Sequence, residues 1–343
     1  MLEIWDGGDP IGALCAWLDE HLRDEPVDVF LSYRISEGLR RTDSPAPPEP
    51  CALPYAAARI GTRPGTTGDL SVGDWEATWA PEDYARAIED VRAAIERGDV
   101  YQVNLVQHLS APARGTADAL AARLAPLHPL HPAPFTGDGW AISSASPELF
   151  LERRGSTLRT RPIKGTRPLG AADDLQDSEK DAAEHTMIVD LERNDLSRVC
   201  EPGTVRWPEF MAEREQAGVV HLVSTVEGRL REDATLADIL RATFPGGSIT
   251  GAPKIAAVDL IAALEPVGRG ASMGALGRVH PNGDFDLALT IRTFALAGGR
   301  LHLWAGGGIV WDSEPEAEIE ESWVKARPLL ALVGGRVPAL AHA

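Results

Sequence analysis

Cysteine is scarce in this chain: Cys15, Cys51 and Cys200 are its only three, far apart and with no C-x-x-C pair. So odd and scattered a set argues against a disulfide framework and makes a reduced, cytosolic chain the simpler reading. Basic charge is also in deficit, with 33 Lys and Arg against 51 Asp and Glu, a formal net charge of -18. That balance argues against nucleic acid or an anionic membrane as partner. It leaves room for a small anionic substrate, which feels local rather than net charge. No apolar run is long enough to span a bilayer. The start, MLEIWDGGDP, lacks the basic residues and apolar stretch of a secretory signal. No internal repeat is present.

A length of 343 residues allows one large domain or two ordinary ones, and an apolar fraction of 44% supports a sizeable core. Trp17, Leu18 and Leu22 fall at helical spacing, and Val27, Val29 and Leu31 alternate as in a strand. Ser44 to Pro50 is a proline-rich loop. From Pro81 the pattern sharpens. Proline in a first turn, Tyr84, Ile88, Val91 and Ile95 on one face, and Gly98 as a stop predict an amphipathic helix. A strand follows over Val100 to Val106. Further strands are expected at Leu158–Thr160, Val219–Val226, Phe285–Ala295 and Leu301–Leu303, with helices near 179–196, 235–243 and 253–264. The order is α+β rather than a regular βαβ repeat.

Three motifs bear chemistry. Lys164 sits in Pro162-Ile163-Lys164-Gly165-Thr166. A lone lysine in a loop is ordinarily a solvated charge, but one held on a stiff stretch suits a nucleophile if its amine can be made neutral. Asp181 and Glu184 lie three apart on one predicted helix, and Glu318 and Glu321 three apart on another. Each pair shares a helix face. Facing each other, the pairs would concentrate four carboxylates, which calls for a cation. An all-oxygen set points to Mg²⁺. Either helix alone reads more simply as a solvated face. The third motif is the turn Pro245 to Lys254, which has G-x-x-x-x-G but Ala252-Pro253 where a P-loop needs Lys and then Ser or Thr. A nucleotide site is thereby excluded. The amides before the following helix could still hold a carboxylate or hydroxyl. Gly306-Gly307-Gly308 is a second place where backbone can approach a ligand.

Taken together, DVYQVNLVQ, SASPELFL, RPIKGTRP, EHTMIVDLERNDLSRVC, HLVSTVEG, FPGGSITGAPK, DLALTIRTF and GGGIVWDSEPEAEIEESWVKA resemble component I of the chorismate-utilising enzymes. The resemblance runs from about Pro81 to Pro328. It implies an α+β fold with two packed antiparallel sheets flanked by helices. It also implies a chorismate-binding core over 79–335, with residues 1–78 adding strands to the same domain. Within this family the lysine of the PIKGT block resembles members that aminate chorismate at ring carbon 4, the aminodeoxychorismate synthases. Those that aminate ring carbon 2 carry alanine there. Members that add water carry a lysine where this chain has Gln102.

The resemblance further implies residue roles. Glu184 and Glu321 would bind Mg²⁺ directly, and Asp181 and Glu318 through waters. Arg292 and the amides of Gly307 and Gly308 would hold the enolpyruvyl carboxylate. His221 would stand near the ring hydroxyl, and Ser248 would contact the ring. Glu148 would give a proton to the leaving hydroxyl while Lys164, made neutral by desolvation and the nearby cation, attacks ring carbon 2. Ammonia would come from a separate glutamine amidotransferase subunit, since no cysteine here sits in a nucleophile elbow. The product would serve p-aminobenzoate and folate synthesis. Two positions depart from the family pattern. Ser272 replaces a larger aromatic residue, and Gly277-Arg278 replaces Gly-Tyr, adding a positive charge. These departures, and the short N-terminal part, leave open a modified substrate and a missing tryptophan-binding pocket. Amination at ring carbon 2 and a non-catalytic chorismate-binding protein remain as alternatives.

Overall fold

A computed structural model of the chain describes residues 1–61, 65, 68–168, 179–216 and 219–337; the side chains at 166–168, 179–181, 216 and 219 are outside that description. Seven α-helices are described: α1 (Pro10–His21), α2 (Pro81–Glu96), α3 (Ala117–Leu124), α4 (Glu179–Ser197), α5 (Leu236–Thr243), α6 (Lys254–Leu264) and α7 (Pro315–Val333). Their starts are legible. Asp9 and Thr116 cap α1 and α3, Thr235 and Asp238 form a capping box on α5, and prolines open α1, α2 and α7.

The strands form two antiparallel sheets. The larger, of ten strands, runs Leu2–Trp5, Ala56–Ile60, Val27–Leu31, Ala275–Val279, Phe285–Leu289, Leu149–Arg154, Thr157–Arg161, Val219–Arg229 and Ile163–Pro168, with Arg206–Gln216 also paired to Val219–Arg229. The smaller, of eight, runs Gly251–Ala252, Gln102–Gly115, Arg300–Ile309, Thr293–Ala297, Trp140–Ser144 and Phe135–Gly137, with Leu70–Val72 and Glu76–Ala77 on the long strand. The fold is α+β. Strands from the first 78 residues enter both sheets. Phe30, Phe135, Phe285 and Trp304 are buried in the main core, and Phe294 in a second cluster that includes residues of α3 and α7. Gln102 to Gln107 are buried without alternation, and helices α2 and α6 pack on this strand.

One expected strand is corrected. Phe285–Ala295 is two strands, Phe285–Leu289 in the larger sheet and Thr293–Ala297 in the smaller. The chain changes sheet through Thr290, Ile291 and Arg292, and Arg292 takes a left-handed φ of 49°. A neighbouring pair, Trp140–Ser144 and Leu149–Arg154, changes sheet alongside it, so Ser144 faces Thr293 and Leu149 faces Ala288. Ala145 N–H donates to Arg292 O and Leu289 N–H to Glu148 O, both at 3.0 Å, which ties the two corners together. Alternating polarity does not reveal the break, since both halves are apolar and buried.

A buried ion pair locks the glycine turn to this frame. Arg269 and Glu265 are 1% and 2% exposed. The guanidinium also donates to Ile249 O at 2.8 Å and Asn104 O at 2.7 Å, and Glu265 accepts from Val106 N–H at 3.1 Å. Removing one partner from so enclosed a pair typically costs about 3–5 kcal/mol. Among the described residues no helix is long and apolar enough to cross a membrane.

Candidate active site

The two corners bring Glu148 and Arg292 together. Glu148 follows Pro147 at one corner, is 4% exposed, and accepts a 2.7 Å hydrogen bond from Ser248 Oγ. Burial raises its pKa, and the Ser248 hydroxyl, the Lys164 cation and the Ile163 amide only partly oppose that. Arg292 is at the other corner. Burial lowers its pKa, Glu148 opposes the shift, and among the described residues no hydrogen bond or ion pair occupies its guanidinium. A forked cation left open in a buried place is suited to an incoming carboxylate. His221 stands on the strand beside Lys164 and is 1% exposed. Burial first, then Arg292, lowers its pKa to about 4, so the ring is neutral near pH 7.

Lys164 points inward. Its Nζ lies 2.7 Å from Glu184 Oε1 and 3.4 Å from Ser248 O. Pairing with Glu184 works against the neutral amine that desolvation alone would favour. Burial opposes the charge on Lys164, but the Glu184 carboxylate, aided by Glu148 and Glu192, outweighs it and the pKa is raised. The Glu184 pKa is lowered; burial opposes this, and Lys164 outweighs it.

Both acidic helices reach the Gly306-Gly307-Gly308 strand. A Cβ at Gly308 would overlap the Gln102 amide and lie 2.7 Å from Glu184 Oε1. One at Gly307 would lie 3.4 Å from Glu321 Oε1 and 3.5 Å from Glu318 Oε2. Glu184 on α4 and the two glutamates on α7 therefore flank a strip that glycine leaves bare. Gln102 Nε2 donates to Glu184 Oε1 at 2.7 Å, while its own Oε1 is buried with no hydrogen-bond partner. Glu318 accepts from Ser313 Oγ at 2.6 Å, and Glu321 pairs with Lys325 at 2.7 Å. Asp181 is on α4, but its side chain lies outside the described residues. Among the described residues no three His, Cys, Asp or Glu groups lie close enough to share one ion. The all-oxygen donors, the bare glycine strip and the orphaned Gln102 oxygen nonetheless fit a hard divalent cation.

Of the two departures from the family pattern, Ser272 packs against the turn that carries Arg292, and Arg278 lies on the larger sheet. Ser272 is fully buried and donates to Thr290 O at 3.3 Å. Arg278 pairs with Asp28 at 2.7 Å on the larger sheet, a carboxylate it shares with Arg59 at 3.0 Å. Sequence reasoning missed Lys325 and Glu192. Lys325 lies four residues after Glu321, an ordinary helical pairing distance. Glu192 was readable as an acid in the apolar stripe of α4, eight residues after Glu184.

Substituting Gly308 by alanine tests the strip. The overlap falls on side-chain ends rather than backbone, so the fold should persist while the Gln102–Glu184 pair moves. A displacement of this kind is expected to lower kcat/KM by about 10²-fold. Thermal melting should stay near the parent value; unchanged kinetics would show that the strip is not part of the site.

Comparisons with known proteins agree with this geometry. Residues 46–331 match the family described as chorismate binding enzyme. Aminodeoxychorismate synthase component 1 of Klebsiella aerogenes is 45% identical over 75% of this chain and 59% of its own length. Anthranilate synthase component 1 of Streptomyces coelicolor is 41% identical over 88% of this chain and 59% of its own length. The chain thus spans about three fifths of these relatives. The crystal structure of anthranilate synthase component I from Streptococcus pneumoniae superposes with a TM-score of 0.84 at 27% identity, covering 96% of this chain and 89% of that one. With a family match over residues 46–331, most of its length, the chain belongs to the family of chorismate binding enzymes.

Proposed function

We propose that this chain aminates chorismate at ring carbon 4, as an aminodeoxychorismate synthase component I supplied with ammonia by a glutamine amidotransferase subunit. The observation that carries the reading is the Lys164 amine, turned into the pocket beside Glu184, Ser248 and Glu148. A lysine there gives the site an internal nucleophile.

Arg292 binds the enolpyruvyl carboxylate, helped by the Gly307 and Gly308 amides. Glu184 and Glu321 would hold Mg²⁺, with Asp181 and Glu318 reaching it through waters. The ion, when bound, supplies positive charge for the ring carboxylate of chorismate. The Lys164 amine, once deprotonated, forms a bond to ring carbon 2 as the ring double bonds shift. The hydroxyl at carbon 4 leaves with the Glu148 proton as water. His221, neutral, would hydrogen-bond that hydroxyl, and Ser248 would keep Glu148 aimed at it. Ammonia then bonds to carbon 4, the double bonds shift back, Lys164 departs with its bonding electrons, and a proton of the new ammonium returns to Glu148. The net change is chorismate plus ammonia to 4-amino-4-deoxychorismate plus water.

A second reading, amination at ring carbon 2, is favoured by the broad match to anthranilate synthase component 1 relatives. Incubation with chorismate, ammonium and Mg²⁺ separates the two. NMR of the product should place nitrogen on carbon 4. Nitrogen on carbon 2 would favour the second reading, and no turnover with ammonium or with an added amidotransferase would refute both.

A further inference from the structure

Behind Glu148 lies a carboxyl that the proposed chemistry does not use. Glu192 is on the inner face of α4 and is 7% exposed. Its Oε2 accepts a hydrogen bond from Thr160 Oγ1 at 3.1 Å. The glycine turn rests on it directly: a Cβ at Gly247 would lie 3.5 Å from Glu192 Cγ and 2.8 Å from Leu191 Cδ2. The next residue in that turn is Ser248, whose hydroxyl donates to Glu148. Glu192 therefore underlies the segment that aims the acid. Beside it is a cavity of about 10 Å³ edged by Asp195, Thr243 and Gly246.

The surroundings favour the uncharged form. Glu148 faces Glu192 from the strand corner, Asp195 from its own helix, Lys254 from α6, and Lys164 from the neighbouring strand. Lys254 is already engaged by Asp195 at 2.5 Å and Thr243 O at 2.8 Å, and Lys164 by Glu184. Neither cation is left to pair with Glu192. Burial, and then the Glu148 charge, push Glu192 up to about 8. Two carboxyls in one water-poor chamber do not both ionise readily.

We propose that Glu192 is a positioning residue of this site, a carboxyl that must be uncharged for the glycine turn to hold Ser248 on Glu148 and for the pocket to accept a dicarboxylate. When it loses its proton, a negative charge appears beneath the turn and beside the anionic substrate. Affinity then falls while the fold persists. The inference rests on the proposed reading of this pocket as the chorismate site.

The test is turnover of chorismate at fixed free ammonia and saturating Mg²⁺, from pH 6.5 to pH 9.5, in the full chain, Glu192→Gln and Thr160→Val. In the parent protein, KM for chorismate should rise above about pH 8, by about tenfold per pH unit as one proton is lost. Glu192→Gln keeps an uncharged group of the same shape, so its kcat at pH 7 should be within about threefold of the parent and its KM flat across the alkaline range. Thr160→Val removes the donor that favours the charged form, so its KM rise should move to higher pH. Superimposable profiles for the parent and Glu192→Gln would overturn the inference, as would loss of turnover in Glu192→Gln at pH 7 with unchanged melting. If the parent neither binds nor converts chorismate, the proposed function itself fails, which is a different result.

Discussion

Lys164→Ala is expected to lower the rate of amination at ring carbon 4 by about 10³-fold or more, with much less effect on the affinity for chorismate. The amine is not at the mouth of the pocket. It is enclosed and paired to Glu184 at 2.7 Å, so it is positioned for chemistry rather than for capture. The same pairing predicts a second effect. Without Lys164, a buried carboxylate loses its cation, which costs about 3–5 kcal/mol. Added Mg²⁺ should therefore raise the melting temperature of the variant more than that of the parent, because the ion binds the carboxylate the lysine has left. Stopped-flow assays and melting with and without Mg²⁺ read both effects. A variant that retains full activity at carbon 4 would remove Lys164 from the chemistry.

Glu148→Gln should cut kcat by about 10²–10⁴-fold and leave KM nearly unchanged, the range found for loss of a general acid. Glutamine still accepts from Ser248 Oγ, so the local geometry is retained and only the transferable proton is lost. The parent should show a matching pH dependence. Burial raises the Glu148 pKa, so the acid form persists above the usual carboxylate range. Its kcat is present below that raised value and falls as pH climbs through it; the glutamine variant should lack this limb. An equal kcat in the two proteins would assign the proton to another group.

The residues predict some features well and others poorly, for physical reasons. The helix Pro81–Glu96 is legible because Tyr84, Ile88 and Val91 bury one face and Gly98 stops it with φ of 79°. The glycine turn is legible as a turn because its residues have no competing periodicity. The break at Thr290 to Arg292 is not, since burial on both faces erases the alternation that would mark a strand end. Charge state is harder still. The sequence places Lys164 and Glu184 on separate elements, and only their approach in space decides whether desolvation or pairing controls the amine. Glu192 falls between these cases. Its spacing along α4 was visible, but its meaning depends on Gly247, a residue far along the chain that is bare enough to lie against it.

The paired corners have a mechanical consequence. Acid and guanidinium stand on adjacent seams where the chain passes from one layer of the sandwich to the other. Their separation is thus a dimension of the whole frame, like the gap of a caliper whose jaws are the two layers. Loops at a sheet edge can drift independently; hinges shared by both layers cannot.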